Sequence, residues 1–135
     1  KGGKVDPSSF TFKDMTKASA KRQHAGELRF EKLLKQKPND IRIIHSYAQF
    51  LETEVKDLDR AQRMYERAHS HDQDDVPVLL DLATLLMRRN KDRSKCERLF
   101  RRAAVKAPKN ARAVAKLAYF LDEVLKDVKG AGEYH

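Results

Sequence analysis

Asp57-Leu-Asp-Arg-Ala61-Gln-Arg-Met-Tyr65-Glu-Arg-Ala68 is answered 35 residues later by Asp92-Arg-Ser-Lys-Cys96-Glu-Arg-Leu-Phe100-Arg-Arg-Ala103. Both copies start with Asp, hold a small residue at the fifth place and an aromatic at the ninth, and close on Arg-Ala. A helix-length segment repeated at this interval indicates a helical repeat array rather than a globule with a single core.

The same spacing governs the flanking text. Tyr47, Ala48, Phe50 and Leu51 map onto Leu82, Ala83, Leu85 and Leu86, and again onto Leu117, Ala118, Phe120 and Leu121. Each unit reads as a helix A (about 40–54, 76–89 and 111–125), a short turn carrying Asp57, Asp92 or Asp127, and a helix B (about 58–71 and 93–107). Ala48, Ala83, Ala118, Ala61 and Cys96 keep side chains small where two helix axes approach to about 8–10 Å. Cys96, Leu99, Phe100, Ala103 and Ala107 make the buried stripe of the second helix B. Upstream, residues 14–37 read as one long helix with Asp14 at its cap and Pro38 ending it. Its second half matches helix B, with Gly26 and Phe30 standing for Ala61 and Tyr65.

The expected fold is therefore all-α, an α-α superhelix of antiparallel helix pairs with a period of about 35 residues. It divides into a flexible leader (1–13, with Phe10 and Phe12 anchoring its end), the long helix (14–37), two full units (38–72 and 73–107) and a truncated third (108–135). The chain begins with Lys rather than Met, which is expected of a piece of a longer protein. An array that stops a few residues into its last helix B should leave Leu117, Phe120, Leu121 and Val124 uncovered. Those residues are predicted to meet a further helix or another copy.

Composition narrows the classes. There is no Trp, and five Gly and four Pro among 135 residues are too few for a turn-rich all-β chain. The single Cys96 excludes an internal disulfide framework or a cysteine zinc site and fits a reducing compartment. No apolar run reaches the roughly 18 residues of a membrane span. An intracellular, cytoplasmic or nuclear protein is expected. The net charge of +9 is uneven: residues 88–116 alone carry +10, and residues 117–135 carry −2.

Ser46-Tyr-Ala-Gln-Phe-Leu-Glu52, Asp59-Arg-Ala61-Gln-Arg-Met-Tyr65-Glu-Arg-Ala68 and Pro108-Lys-Asn together resemble the tetratricopeptide (TPR) superfamily over about residues 24–135. The nearest flavours are half-a-TPR (HAT) repeats and TmcB/TmcC-type arrays. Ile44, Leu79 and Val114 stand where the HAT helix A has Trp. The resemblance implies a non-catalytic scaffold that binds a peptide, a helix or another subunit, with no cofactor. It also implies a concave groove lined by Arg42, His45 and Gln49, by Leu80, Asp81, Thr84 and Met87, and by Arg112, Lys116 and Tyr119. Arg112 and Lys116 match the basic positions of a TPR clamp for C-terminal carboxylates. Asp81 would repel such a ligand, which argues against that clamp.

The basic block suggests an alternative, an RNA-processing module. Lys91, Lys95, Arg98, Arg102 and Lys106 fall at helical spacing, widened by Arg88, Arg89, Arg93, Arg101 and Lys109. No aromatic is interleaved to stack a base, so a nucleic-acid partner ranks below a protein one. His69 and His71 are two apart, the wrong spacing for one helix face, and the acidic run after them lacks the Gly and Glu of a calcium loop. No metal site is expected. No nucleophile–base set or phosphate loop stands out, and no enzymatic role is expected.

Overall fold

A computed structural model describes residues 11–132, with side chains through Asp127. The helices are α1 (Phe12–Gln36), α2 (Ile41–Phe50) continued by a π-helical turn (Leu51–Val55), α3 (Leu58–His71), α4 (Val76–Arg88), α5 (Arg93–Lys106) and α6 (Ala111–Gly132). Short turns make α2/α3 and α4/α5 antiparallel hairpins. The hairpins stack, α1 packs on α2, and α6 lies across α5 and α4.

Side-chain caps start the helices. Asp40 accepts from the Arg42 and Ile43 amides, Asp75 from Val78, and Asn110 from Ala113, so the A-helix caps also recur every 35 residues. Asp57 and Asp92 cap α3 and α5 in the same way. These side chains satisfy amides that have no partner within the first turn.

The core runs through the array without a break. Tyr47, Ala48 and Leu51 of the first A helix, Ala61 and Tyr65 of the first B helix, and the Leu-rich face of α4 join Cys96, Phe100, Ala113 and Phe120. The small positions are fully covered: Ala48, Ala61, Ala83 and Ala103 are buried. Phe30 of α1 stacks on Tyr47 with ring centroids 5.1 Å apart and lies 5.4 Å from Phe50. Gly26 makes room for this docking, since a Cβ there would stand 2.4 Å from Phe50 Cζ.

Sequence expectations are corrected in several places. The first helix starts at Phe12, and its cap is Thr11 rather than Asp14. Asp14 is the third-position partner of a capping box, with the Asp14 amide donating to Thr11 Oγ1 and the Thr11 amide donating to the Asp14 carboxylate. Phe12 is exposed rather than anchored, and Phe10 lies outside the described residues. The first A helix does not stay α-helical, because the π turn widens its last residues before Lys56 turns left-handed. No turn forms at Asp127; α6 continues to Gly132. Leu125 stands there in register with Asn90, whose φ of 54° closes α4. Asn adopts that backbone at less cost than Leu does.

The apolar face expected to stay open on the last helix is also shifted. Phe120 is only 3% exposed, packed 5.5 Å from Phe100, and Leu117, Leu121 and Val124 are half-buried against the core. Val114, Ala118, Tyr119 and Leu125 are among the exposed residues of this helix instead.

Candidate functional site

Asp81 is the only charged residue in the stretch Val76–Met87, on a helix otherwise apolar on nearly every side. A carboxylate placed there must find donors, because burying it unpaired is prohibitive. The structure supplies three: His45 Nε2–H donates at 2.7 Å, Arg112 at 2.8 Å and Gln49 at 3.0 Å. Burial pushes the Asp81 carboxyl up, but the donors from His45, Arg112 and Gln49 outweigh it and hold the group below the ordinary carboxylate range. One side chain thus ties α2, α4 and α6 together.

This network consumes much of the expected groove. Arg42 pairs with Asp75 at 2.6 Å. His45 is buried, and Leu80 is a core residue that lines no groove. Leu80 and Asp81 are adjacent on α4 and so point to different sides, which the register alone had merged. The Thr84 hydroxyl donates back to the Leu80 carbonyl at 2.7 Å. Lys116 is half-buried, while Met87 and Tyr119 reach open space.

That open space is one of two equivalent clefts, one period apart. The first, between the π turn and α4, is lined by Glu52, Thr53, Lys56, Leu58 and Arg88. The second, between α4 and α6, is lined at the matching positions by Met87, Arg88, Lys91, Arg93 and Glu123. In the first, Glu52 accepts from the buried Tyr65 hydroxyl at 2.7 Å and pairs with Arg88, so a polar bridge spans the cleft. Burial and the Glu52 carboxylate push the Tyr65 phenol well above its ordinary value, so it remains a donor at any physiological pH.

The second cleft replaces each member of that bridge. Met87 stands for Glu52, Phe100 for Tyr65, and Glu123 for Arg88. Its lining also includes Tyr119, Phe120 and Val124, and it encloses about 340 Å³. The first cleft has about 540 Å³, so both lie within the range of ligand sites, roughly 300–1,000 Å³, and their linings rather than their sizes set them apart. Arg88 and Lys91 rim one side, Glu123 and Asp127 the other, with Arg93 bonded to Asp127. Cys96 borders the cleft but is buried; burial pushes its thiol up, away from the reactive thiolate.

The basic face is largely neutralised. Arg88 pairs with Glu52, Arg89 with Asp59, Lys95 with Glu66, Arg101 with Glu97, and both Arg102 and Lys106 with Asp74. Arg89 also donates to Gln62 at 2.8 Å, strapping α4 onto α3. Among the described residues, Lys91, Arg98 and Lys109 of this face form no such pair. The +10 block is mostly one side of inter-helix ion pairs, which leaves few cations for phosphates. The sequence count missed this because most of the compensating carboxylates lie outside residues 88–116.

His69 is half-buried with Nδ1 unpaired, and burial pushes its pKa down; His71 is exposed. No group of three or more metal-ligating side chains forms among the described residues, nor is any described helix long and apolar enough to cross a membrane.

Comparison with known families agrees with this architecture. Residues 6–78, more than half of the chain, match the family described as TmcB, TPR repeats, and residues 52–118 match the tetratricopeptide repeat family. No curated protein matches the chain. Helical repeat arrays of this kind generally mediate protein–protein interaction. Stacked hairpins, small residues at each helix approach and a 35-residue period are what such a match requires, and the chain belongs to the TmcB-type TPR repeat family.

Proposed function

We propose that the chain is a non-catalytic interaction scaffold that holds a peptide segment by an apolar anchor side chain in the cleft between α4 and α6. The observation that carries this reading is the exchange of the Glu52–Tyr65–Arg88 bridge for Met87, Phe100 and Glu123 at the equivalent cleft. Removing a bridge leaves an apolar floor with unlike charge on its two rims. That combination suits an amphipathic peptide whose Leu or Phe enters the cleft and whose flanking charges meet Lys91 and Glu123. Met87 adapts its shape to the anchor more readily than a branched side chain would. The buried thiol of Cys96 and the donor-saturated carboxylate of Asp81 are poor reactive groups, which favours binding over catalysis.

Fluorescence anisotropy with a labelled library of amphipathic helical peptides tests the reading. Peptides selected by the wild-type chain should lose at least about tenfold in affinity on Met87→Glu, which places a charge on the apolar floor. Equal binding by the Met87→Glu variant would refute the assignment to this cleft.

A further inference from the structure

The two B helices of the full units start from equivalent caps, Asp57 and Asp92, and differ in the turn that follows. Two residues after its cap, α3 carries Asp59; at the same place α5 carries Ser94, and its first turn holds no acid. The Asp59 carboxylate accepts from Arg89, and that hydrogen bond, with the charges of Arg89, Lys91 and Arg63, holds its pKa below the ordinary carboxylate range. Arg63 lies four residues beyond Asp59, the spacing and order in which an anion and a cation support a helix. In α5 the cation is kept, as Arg98, while the anion has become a hydroxyl. Arg98, one turn after Ser94, and Lys91, three residues before it, are both exposed and both without an ion-pair partner among the described residues. The Ser94 hydroxyl is exposed too and makes no hydrogen bond among those residues, whereas Thr16, Thr53, Ser70 and Thr84 donate to carbonyls of their own helices.

We propose that Ser94 is a phosphorylation site, at which a phosphoryl group supplies the anion that Asp59 supplies one repeat earlier. In the transfer, Ser94 Oγ attacks the terminal phosphorus of a nucleoside triphosphate held by a protein kinase. The Oγ–P bond forms, the bond from that phosphorus to the departing diphosphate breaks, and the hydroxyl proton passes to the kinase's base. Lys91 and Arg93 give the serine basic residues at three places and one place upstream, a charge pattern on which a kinase can select its substrate. The approach to the serine is also easily opened. Asn90 and Asp92 have φ of 54° and 45°, so the turn leading into α5 is held less firmly than a helix interior. Once attached, the phosphate carries about −1.5 to −2 charges at neutral pH and meets Arg98 and Lys91, two cations that the ion-pair network leaves over. Ser94 does not line the α4/α6 cleft, so the site stands apart from the peptide reading.

The test uses a serine kinase selected because it phosphorylates a free peptide of residues 88–98. With ATP and that kinase, mass mapping of the full folded chain should find phosphate on Ser94, and the Ser94→Ala chain should lack it there. The chain carrying phosphoserine at 94 should then unfold about 3 °C above the unmodified chain, and Arg98→Ala should remove about half of that rise or more. Raising the salt should shrink it as well. Circular dichroism verifies that each variant folds. The proposal is overturned if no kinase modifies the peptide, or if the folded chain leaves Ser94 untouched while the peptide is modified. An unchanged or lower thermal midpoint on phosphorylation overturns it too, as does a rise that Arg98→Ala leaves intact, because the phosphate would then not occupy the place of Asp59.

Discussion

The two clefts of this molecule are built from matching positions and end in opposite states. Between the π turn and α4, Glu52 is held by the Tyr65 hydroxyl and Arg88, and the cleft is bridged by charge. Between α4 and α6, Met87, Phe100 and Glu123 occupy those places, and no such bridge crosses the cleft. The difference teaches that the repeat specifies the backbone frame, while three side-chain exchanges decide whether a junction is a tie or a site. Tyr to Phe removes the donor, Glu to Met removes its acceptor, and Arg to Glu removes the strap.

The comparison can be broken most severely at Phe100. Phe100→Ala deletes a fully buried ring that packs on Phe120 beneath the open cleft. A loss of about 3–5 kcal/mol is expected, read from the midpoint of urea unfolding. If the loss is under 1 kcal/mol, on the order of a surface substitution, α6 does not depend on that ring.

Asp81 tests the tie shared by both junctions. Asp81→Ala leaves the buried His45 ring nitrogen without its acceptor and frees Arg112, for an expected loss of about 1–3 kcal/mol. The same group sets a pH dependence. Its folded-state pKa lies below its unfolded value, so its contribution is full above about pH 4 and disappears as pH falls through the lower folded value. Thermal midpoints taken from pH 6 downward should therefore drop more steeply in the wild type than in Asp81→Ala. Parallel curves would show that the carboxylate is not a stabilising element.

Tyr65→Phe copies the second cleft's residue into the first. It removes one hydrogen bond while leaving Glu52 its contact with Arg88, and about 1 kcal/mol should be lost. Smallest in stability is the reverse graft, Met87→Glu with Phe100→Tyr and Glu123→Arg, which rebuilds the bridge in the second cleft. Stability should move by less than about 1 kcal/mol, because the new phenol and carboxylate satisfy each other. Peptide binding should nevertheless vanish, since the floor is no longer apolar. Retained binding would show that an apolar floor is not what makes the site.

Much of the frame is legible in the residues. The 35-residue spacing of Ala48 and Ala83 and of Tyr65 and Phe100 locates the four hairpin helices and the face each buries, because local periodicity and side-chain size act over one or two turns. Asp81 was legible as well, as a lone charge in an apolar helix, although its three partners were not. Reading it as a flaw in a groove missed that buried charges recruit donors.

The sequence by itself therefore determined the helices, their pairing and the small residues that let them nest, since these follow from propensity, capping and hydrophobic period. Tertiary structure alone decided the rest. It turned Phe120 inward and Val114 outward on the same helix, because α5 supplies a surface on one side and no described helix supplies one on the other. It matched Arg88, Arg89, Lys95 and Arg102 with carboxylates about 30 residues earlier, so much of the basic block became ion pairs. It also joined Tyr65, Glu52 and Arg88 across the first cleft, because whether three side chains meet depends on distances across the array that no local pattern encodes.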